Sequence, residues 1–395
     1  MTPHYWWPFL AILFLLGIYL QVYLLSAFAL MLATISAVAR GWAKRSLSGV
    51  IYRRRPFYRR AFPGEFVPLT IETENRKFLP LSWLLVKDPW PKAVGPQEEY
   101  LLARTHQPEK GILINLFSLR WYERARRHYK LLFRKRGVYQ LGPARLESGD
   151  FFGIFNQVKE DEVIDQITVF PKPLPLRDIP LPTGDPFGER RARRQLHEDP
   201  TLTIGIRNYH PEDDFRRIHW PATAHTSELQ VKVYQPITAQ VMTVCLNVST
   251  FQYYWQGVDP DLMENLVSIA ADLVEQGLKD GYRVGIISNG CLMHSDQPFR
   301  IPPSRSADQL GRLMSALAAV TPFVTTPFER LLLREFHKLP PGTLLLILTS
   351  TMSQELRESI LQLKRHGCRI SVIAYCSKPP PPIPGIHIRH VPYEA

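Results

Sequence analysis

Four histidines crowd one stretch of this chain, His197, His210, His219 and His225, with the carboxylates of Asp213 and Asp214 among them. Side chains of these types hold divalent metals and move protons, so metal-assisted hydrolysis is the chemistry such a cluster offers. The spacing argues against it. No two of these histidines stand at the interval of a helix-face pair, and no zinc-ligand pattern links them. Surface or interface histidines are the simpler expectation. Neither a G-x-x-x-x-G-K-[ST] phosphate loop nor a G-x-S-x-G elbow occurs. The four cysteines, Cys245, Cys291, Cys368 and Cys376, form no C-x-x-C pair. Cys245 lies inside an apolar run and reads as a small buried hydrophobe in a reducing compartment. The expectation is therefore no catalytic residue, no metal and no cofactor.

The same stretch, Gly205 to Pro236, offers a different use. Arg207, Asp213, Asp214, Arg216 and Trp220 fall close together, and Arg and Trp are the types most enriched among binding hot spots. They are candidates for a surface that contacts a partner. The rival reading is an ion-paired connector between domains. Asp213 or Asp214 is expected to cap a short helix, and Pro221 to end it by pushing Trp220 out of the helical region. From Leu229 the residues alternate, with Leu229, Val231 and Val233 on one face and Gln230, Lys232 and Tyr234 on the other, which predicts a half-buried strand.

These residues need positioning elements. Tyr5 to Ala39 is apolar and carries no charged side chain. One helix of that length would run roughly 50 Å, well beyond a hydrocarbon core of about 30 Å. Two helices of about 17 residues fit, with reversal between Gly17 and Tyr23. A transmembrane hairpin over 1–40 is therefore expected, and a cleaved leader is not, because no basic segment precedes the apolar run. Arg40, Lys44, Arg45, Arg53, Arg54, Arg55, Arg59 and Arg60 follow, with no acidic residue until Glu65. That bias predicts a basic juxtamembrane segment over 41–62 that meets anionic lipid headgroups at 40–60. It also predicts a multi-pass protein of the cell membrane with the bulk of the chain in the cytoplasm. The net charge of +12 suits acidic surfaces in general.

Over 63–171, short alternating runs separated by Pro-Gly, Glu-Asn, Arg-Gly and Gly-Asp turns predict an all-β sandwich. Phe151, Phe152 and Phe155 there read as core aromatics beside a tight turn. A Pro/Arg-rich linker covers 172–200 and lacks the interleaved aromatics of a specific nucleic-acid module. Over 201–395 strands alternate with amphipathic helices, beginning with the continuous apolar run Val241–Val248 and a helix opened by Asp259-Pro260. That alternation predicts a doubly wound α/β domain.

One resemblance joins these parts. Arg207-Asn208-Tyr209, Glu212-Asp213-Asp214, Arg216-Arg217-Ile218-His219-Trp220 and Ala222-Thr223-Ala224 resemble, in order and spacing, the signature of the DUF58 family. Lys135-Arg136-Gly137-Val138-Tyr139 and Asp150-Phe151-Phe152-Gly153-Ile154-Phe155 are similar to the segment that precedes it. The resemblance implies that the α/β domain is von Willebrand factor A-like, with a MoxR-type AAA+ ATPase as partner. Metal-binding A-domains place Asp-x-Ser-x-Ser after the first strand and a further Asp after a later one. Here those places hold Asn247, Ser249 and Phe251, then Ser350, so the metal site is expected to be degenerate. The function implied is a membrane-anchored, non-catalytic scaffold or adaptor. The alternatives are a metal-assisted hydrolase at 210–225 and an envelope lipid- or polymer-binding protein.

Overall fold

The computed structural model describes residues 6–174, 197–211, 213–237, 241–340 and 342–393. Glu212 and most of the expected linker at 172–200 lie outside the described residues. The linker's end, from His197, is the start of a strand instead. The chain divides into two compact units, Met1–Lys172 with Met314–Val320, and Pro173–Leu313 with Thr321–Ala395.

The first unit opens with helices α1 (Trp6–Tyr19) and α2 (Tyr23–Ser46). The reversal falls inside the expected window, but the division is unequal. At 14 residues α1 is about 21 Å long, while the 24 residues of α2 give about 36 Å. Only α2, among the described residues, is long and apolar enough to cross a membrane. Gln21 makes the turn by adopting a left-handed backbone, φ +57°, which no Gly or Pro signal announces. The two helices touch closely: a Cβ on Gly17 would stand 2.7 Å from the Ser26 amide nitrogen.

Eleven strands follow: β1 (Val50–Pro56), β2 (Arg60–Ala61), β3 (Phe66–Asn75), β4 (Leu81–Pro91), β5 (Leu102–Arg104), β6 (Lys110–Leu119), β7 (Arg124–Leu132), β8 (Gly137–Leu141), β9 (Ala144–Gly149), β10 (Asn156–Asp161) and β11 (Asp165–Val169). They form sheets ordered β1-β3-β7, β10-β9-β4-β6-β5 and β2-β11-β8. Inward residues of all three sheets, among them Leu69, Ile71, Leu84, Trp90, Leu131, Leu146 and Ile167, share one core.

Two expectations for this unit are corrected. The stretch 41–62 is not a separate basic segment: α2 runs on to Ser46, and β1 begins at Val50. Within that strand Arg54 points inward. It donates to Asp88 through Nε and Nη2, both at 2.8 Å, while Tyr52 Oη and Trp90 Nε1 donate to the same carboxylate. A buried charge persists only when paired and hydrogen-bonded in this way. Arg55 and Arg59 are also paired, with Glu72 and Asp165. The second correction concerns Phe151 and Phe152, which stand out in solvent at the tip of the β9–β10 hairpin rather than in the core.

The second unit begins with an antiparallel pair, β12 (His197–Asn208) and β13 (Gln230–Ile237), joined through a short helix α3 (Trp220–Thr226). The main sheet comprises β14 (Val241–Leu246), β15 (Arg283–Leu292), β16 (Pro298–Ser304), β17 (Val320–Val324), β18 (Leu344–Thr349), β19 (Arg369–Cys376) and β20 (His387–Pro392). Its order is β16-β15-β14-β18-β19-β20, with β17 also paired to β15. Strands β15, β14, β18, β19 and β20 run parallel, and β16 is antiparallel to β15. Pro302 and Pro303 suit β16 to that edge, since Pro cannot donate to a ladder. The connecting helices are α4 (Pro260–Lys279), α5 (Gln309–Ala319, of which the residues from Met314 are grouped with the first unit), α6 (Phe328–Phe336) and α7 (Gln354–Arg365). Asp259 caps α4 as expected, accepting from the amides of Asp261 and Leu262. The central strands β14 and β18 are buried along their whole length. Cys245 is among those buried residues, and burial pushes its thiol up to about 12.

Candidate functional site

Strand order reverses between β14, which is followed in sequence by the neighbour on one side, and β18, which leads to the other. At such a switch point the loops leaving the strands separate and open a crevice at their carboxyl ends. A cavity of about 320 Å³ lies there, within the second unit. Its floor comes from Asn247 and Ser249, which follow β14, and from Thr351, which follows β18. Its wall comes from Pro327 and Arg330 at the start of α6 and from Ser353 at the start of α7. Phe251, Tyr253 and Trp255, with Glu329 and Glu355 from the first turns of those helices, form the rim.

The floor is a closed set of neutral hydrogen bonds. Asn247 Oδ1 accepts from the Ser249 amide at 3.1 Å and from Asn289 Nδ2 at 3.0 Å. Asn247 Nδ2 donates to Thr349 Oγ1 at 3.0 Å, and Thr349 Oγ1 donates to the Thr351 carbonyl at 2.7 Å. Asn289, in β15, also donates to Ser249 Oγ at 3.0 Å and accepts from the Val248 amide at 2.8 Å. Ser350 Oγ donates to the Ser249 carbonyl at 3.2 Å. A carboxylate at 247 would lack the Nδ2 donor that Thr349 receives. The side chains at 247, 249 and 350 thus serve to lock two loops together. Phe251, the fourth position of the degenerate site, is half exposed at the rim.

The rim differs in chemistry. The rings of Tyr253 and Trp255 stack at 4.7 Å with 12° between their planes, and both face solvent. Glu329 and Glu355 occupy the first turns of α6 and α7, where the helix dipole favours a negative charge. An aromatic pair beside two carboxylates suits an amphipathic or cationic side chain.

The signature forms a second feature of the same unit. Arg207 donates to Asp213 through Nη1 and Nη2, at 2.7 and 2.5 Å, and Asp213 accepts further from the His210 amide at 2.9 Å. The guanidinium and that amide hold the Asp213 carboxyl down at about 2. Asp214 caps a single 3-10 turn over Phe215–Arg217 by accepting from the Arg216 amide. Arg216 and Trp220 stay exposed, as does Phe215, whose ring lies 5.6 Å from that of Tyr209. The structure thus brings Arg207 and Asp213 together, sets Asp214 next to Arg216 through the backbone, and leaves Trp220 outward.

Pro221 acts in the opposite sense to the expectation. It sits in the first turn of α3, which it opens rather than closes, and His219 caps that helix by accepting from the Ala222 amide through Nδ1. The alternation from Leu229 also needs correction. Gln230 is buried, bonded to Asn208 Oδ1 and to Thr223 Oγ1, because the strand is enclosed by the turn that precedes it. Of the four histidines, His219 is thus a cap, and the side chain of His197 lies outside the described residues. Among the described residues no group of three His, Cys, Asp or Glu side chains is arranged to hold a metal ion.

Sequence reasoning missed Asn289, which hides in an otherwise apolar strand, and the rim residues Tyr253, Trp255, Glu329 and Glu355. The run Phe251-Gln252-Tyr253-Tyr254-Trp255, polar-aromatic and directly after the first sheet strand, was the available signal.

Both features lie in one recognisable segment. Residues 205–375 match the DUF58 family. The family model is described as "Protein of unknown function DUF58", so the resemblance carried by Arg207 to Ala224 is confirmed. The DUF58 segment starts within β12 and ends within β19, enclosing the signature and the cavity. The chain is also similar to the uncharacterized protein YeaD of Bacillus subtilis, at 21% identity over 246 residues, which span 60% of this chain and 56% of that protein. Two solved structures share small parts of the chain. The sporulation control protein Spo0M of Bacillus subtilis matches at 12% identity and TM-score 0.20, over 31% of this chain and 50% of its own. The PapD-like domain 7 of human CEP192 matches at 16% identity and TM-score 0.18, over 31% and 85%. Similarity at that level carries no functional argument.

Proposed function

We propose that this chain is a membrane-anchored, non-catalytic adaptor whose DUF58 segment receives a segment of a protein partner at the switch-point cavity. One observation carries the reading: a rim of stacked aromatics and carboxylates stands over a floor whose polar groups are already bonded to one another. Such a floor is a rigid support, and the rim supplies the contact. The order β16-β15-β14-β18-β19-β20, with its antiparallel edge, is in keeping with a von Willebrand factor A-like domain. The signature residues Arg216 and Trp220, together with Phe215, are a second contact for the same partner. The partner implied by the resemblance is a MoxR-type AAA+ ATPase. The α1–α2 hairpin is the anchor, and Arg40, Lys44 and Arg45 near the end of α2 favour a cytoplasmic location for the residues after Ser46. They also sit where anionic headgroups would meet them.

The test is capture of the purified ATPase by the full chain in lipid nanodiscs. Trp255→Ala, with its ring exposed, should lower capture by tenfold or more while leaving the melting temperature unchanged. Equal capture by wild type and by both Trp255→Ala and Trp220→Ala would remove the adaptor reading. Hydrolytic turnover that needs a divalent metal would replace it with the enzyme.

A further inference from the structure

The end of the β unit beside α2 carries an unusual set of side chains. Strand registers place three tips at this end: the sheet-to-sheet loops β3–β4 and β6–β7, and the turn of the β9–β10 hairpin. Val50, just after α2, pairs with Asn75 at the end of β3, and Leu81 at the start of β4 pairs with Leu119 at the end of β6. Leu84 pairs with Ser148, and Gly149 with Asn156, at the tip of β9–β10. These tips present Phe78, Trp121, Tyr122, Phe151, Phe152 and Ile154, each between 51% and 74% exposed.

The tips are built to hold those side chains outward. Phe78 stacks on Trp121 with ring centres 5.7 Å apart and 12° between planes. Tyr122 takes a left-handed backbone, φ +54°. Asp150 is buried and its carboxylate accepts from the amides of Phe152 and Phe155, while its carbonyl accepts from Trp83 Nε1. The first tip is tied to the helix itself: Lys77 Nζ donates to the Ser46 and Ser48 carbonyls at 2.5 and 2.8 Å, and the Arg76 amide donates to the Gly49 carbonyl at 2.9 Å. The third approaches α2 as well, since the helix packs on β9 and β10. Lys44, Arg45, Arg76 and Arg120 are exposed on the helix end and the first two tips.

We propose that these three tips form a membrane-contacting surface that inserts into the interfacial layer of the same bilayer that α2 crosses. The inference rests on the reading of α2 as an anchor and extends it to the β unit. Aromatic rings concentrate at headgroup depth because one part of each is apolar and the rest tolerates water. Exposed cations beside them meet anionic headgroups. Apolar side chains gathered at one end of a unit are costly in water, and here they lie near the end of a helix of bilayer length. The surface fixes the unit's tilt on the membrane through contacts besides the single backbone link at Leu47–Gly49.

An environment-sensitive fluorophore on a single added cysteine tests this in the full chain. Cys368→Ser and Cys376→Ser remove the partly exposed native thiols, and Cys245 and Cys291 are buried. Labels are placed by Phe152→Cys at a tip, Gln107→Cys at the opposite end of β6, and Leu30→Cys on α2. The chain is reconstituted in nanodiscs of phosphatidylglycerol and phosphatidylcholine, with a nitroxide-bearing lipid or with aqueous iodide as quencher. The expected result is a blue-shifted Phe152→Cys label, quenched by the nitroxide and several-fold less by iodide than the Gln107→Cys label. Iodide quenching equal to that at Gln107→Cys, with Leu30→Cys still quenched by the nitroxide, overturns this inference alone. Protection from iodide without nitroxide quenching means a protein contact and also overturns it. A Leu30→Cys label untouched by the nitroxide overturns the anchor reading, and this inference with it.

Discussion

Asn289→Ala tests whether the cavity floor is the rigid support the geometry makes it. Asn289 has no exposure and joins three groups: it accepts from the Val248 amide and donates to Asn247 Oδ1 and Ser249 Oγ. Truncation leaves Val248 N–H buried and without its acceptor, while Asn247 Oδ1 keeps the Ser249 amide. One orphaned buried donor costs about 1–3 kcal/mol, so about 2 kcal/mol is expected. For a unit of this size that is a fall in Tm of roughly 4–8 °C. Scanning calorimetry of the full chain in micelles resolves it, because two units need not unfold together. Partner capture should fall as well, since the loop that carries Phe251, Tyr253 and Trp255 loses its tie to β15. Asn289→Asp separates this account from general damage. It keeps the acceptor for Val248 but sets a carboxylate against Asn247 Oδ1, which raises that carboxyl's pKa. The protonated form is the stabilising one, so stability should be greater at pH 5 than at pH 8, a dependence absent from Asn289→Ala. A Tm within 1 °C of wild type for Asn289→Ala, with capture intact, would refute the argument.

Arg54→Ala should destabilise the β unit by about 3–5 kcal/mol, because Asp88 is left as a charge with no exposure; a denaturant midpoint unchanged from wild type would count against the buried pair. Asp213, held at about 2 by Arg207, contributes stability that is full above its ordinary value near 4 and is lost as pH falls towards 2. That contribution should shrink in high salt, since Arg207 is half exposed, and an acid titration of Arg207→Gln that matches wild type would contradict it. Millimolar Mg²⁺ should leave the Tm of the second unit in place, with Asn247 and Ser350 where carboxylates would be needed. A stabilisation of about 2.7 kcal/mol, as a ligand at 100 times its Kd gives, lost in Ser249→Ala, would reinstate the metal site.

The site was partly legible. Asn247, Ser249, Phe251 and Ser350 could be placed because the A-domain resemblance names the positions after two strands, and fully apolar strands announce their own ends. The rim could not, since α6 and α7 start some 80 and 100 residues later, as an order of magnitude, and nothing local says that their first turns meet the loop after β14. Asn289 escaped for a related reason. A lone amide in a buried run reads as a blemish until the chain brings Asn247 to it. Pro221 failed differently: its rigid φ suits the first turn of a helix as well as a break, and the choice between them was made by His219 reaching the Ala222 amide.

Near-neighbour patterns by themselves determined the apolar hairpin, the β-rich middle, the alternating strands and helices after Val241, and the family signature. Each depends on periodicity, turn residues or caps within a few positions. Tertiary structure alone decided which charges are buried, which aromatics face out and which loops share a cavity. Arg54 reads as one more cation in a basic run until Asp88 and Asp165 close on it. Phe151 and Phe152 read as core until the hairpin turns them outward beside α2. The physical reason is the same in each case: burial and pairing belong to contacts between segments distant in sequence, whose energies depend on partners that no local pattern contains.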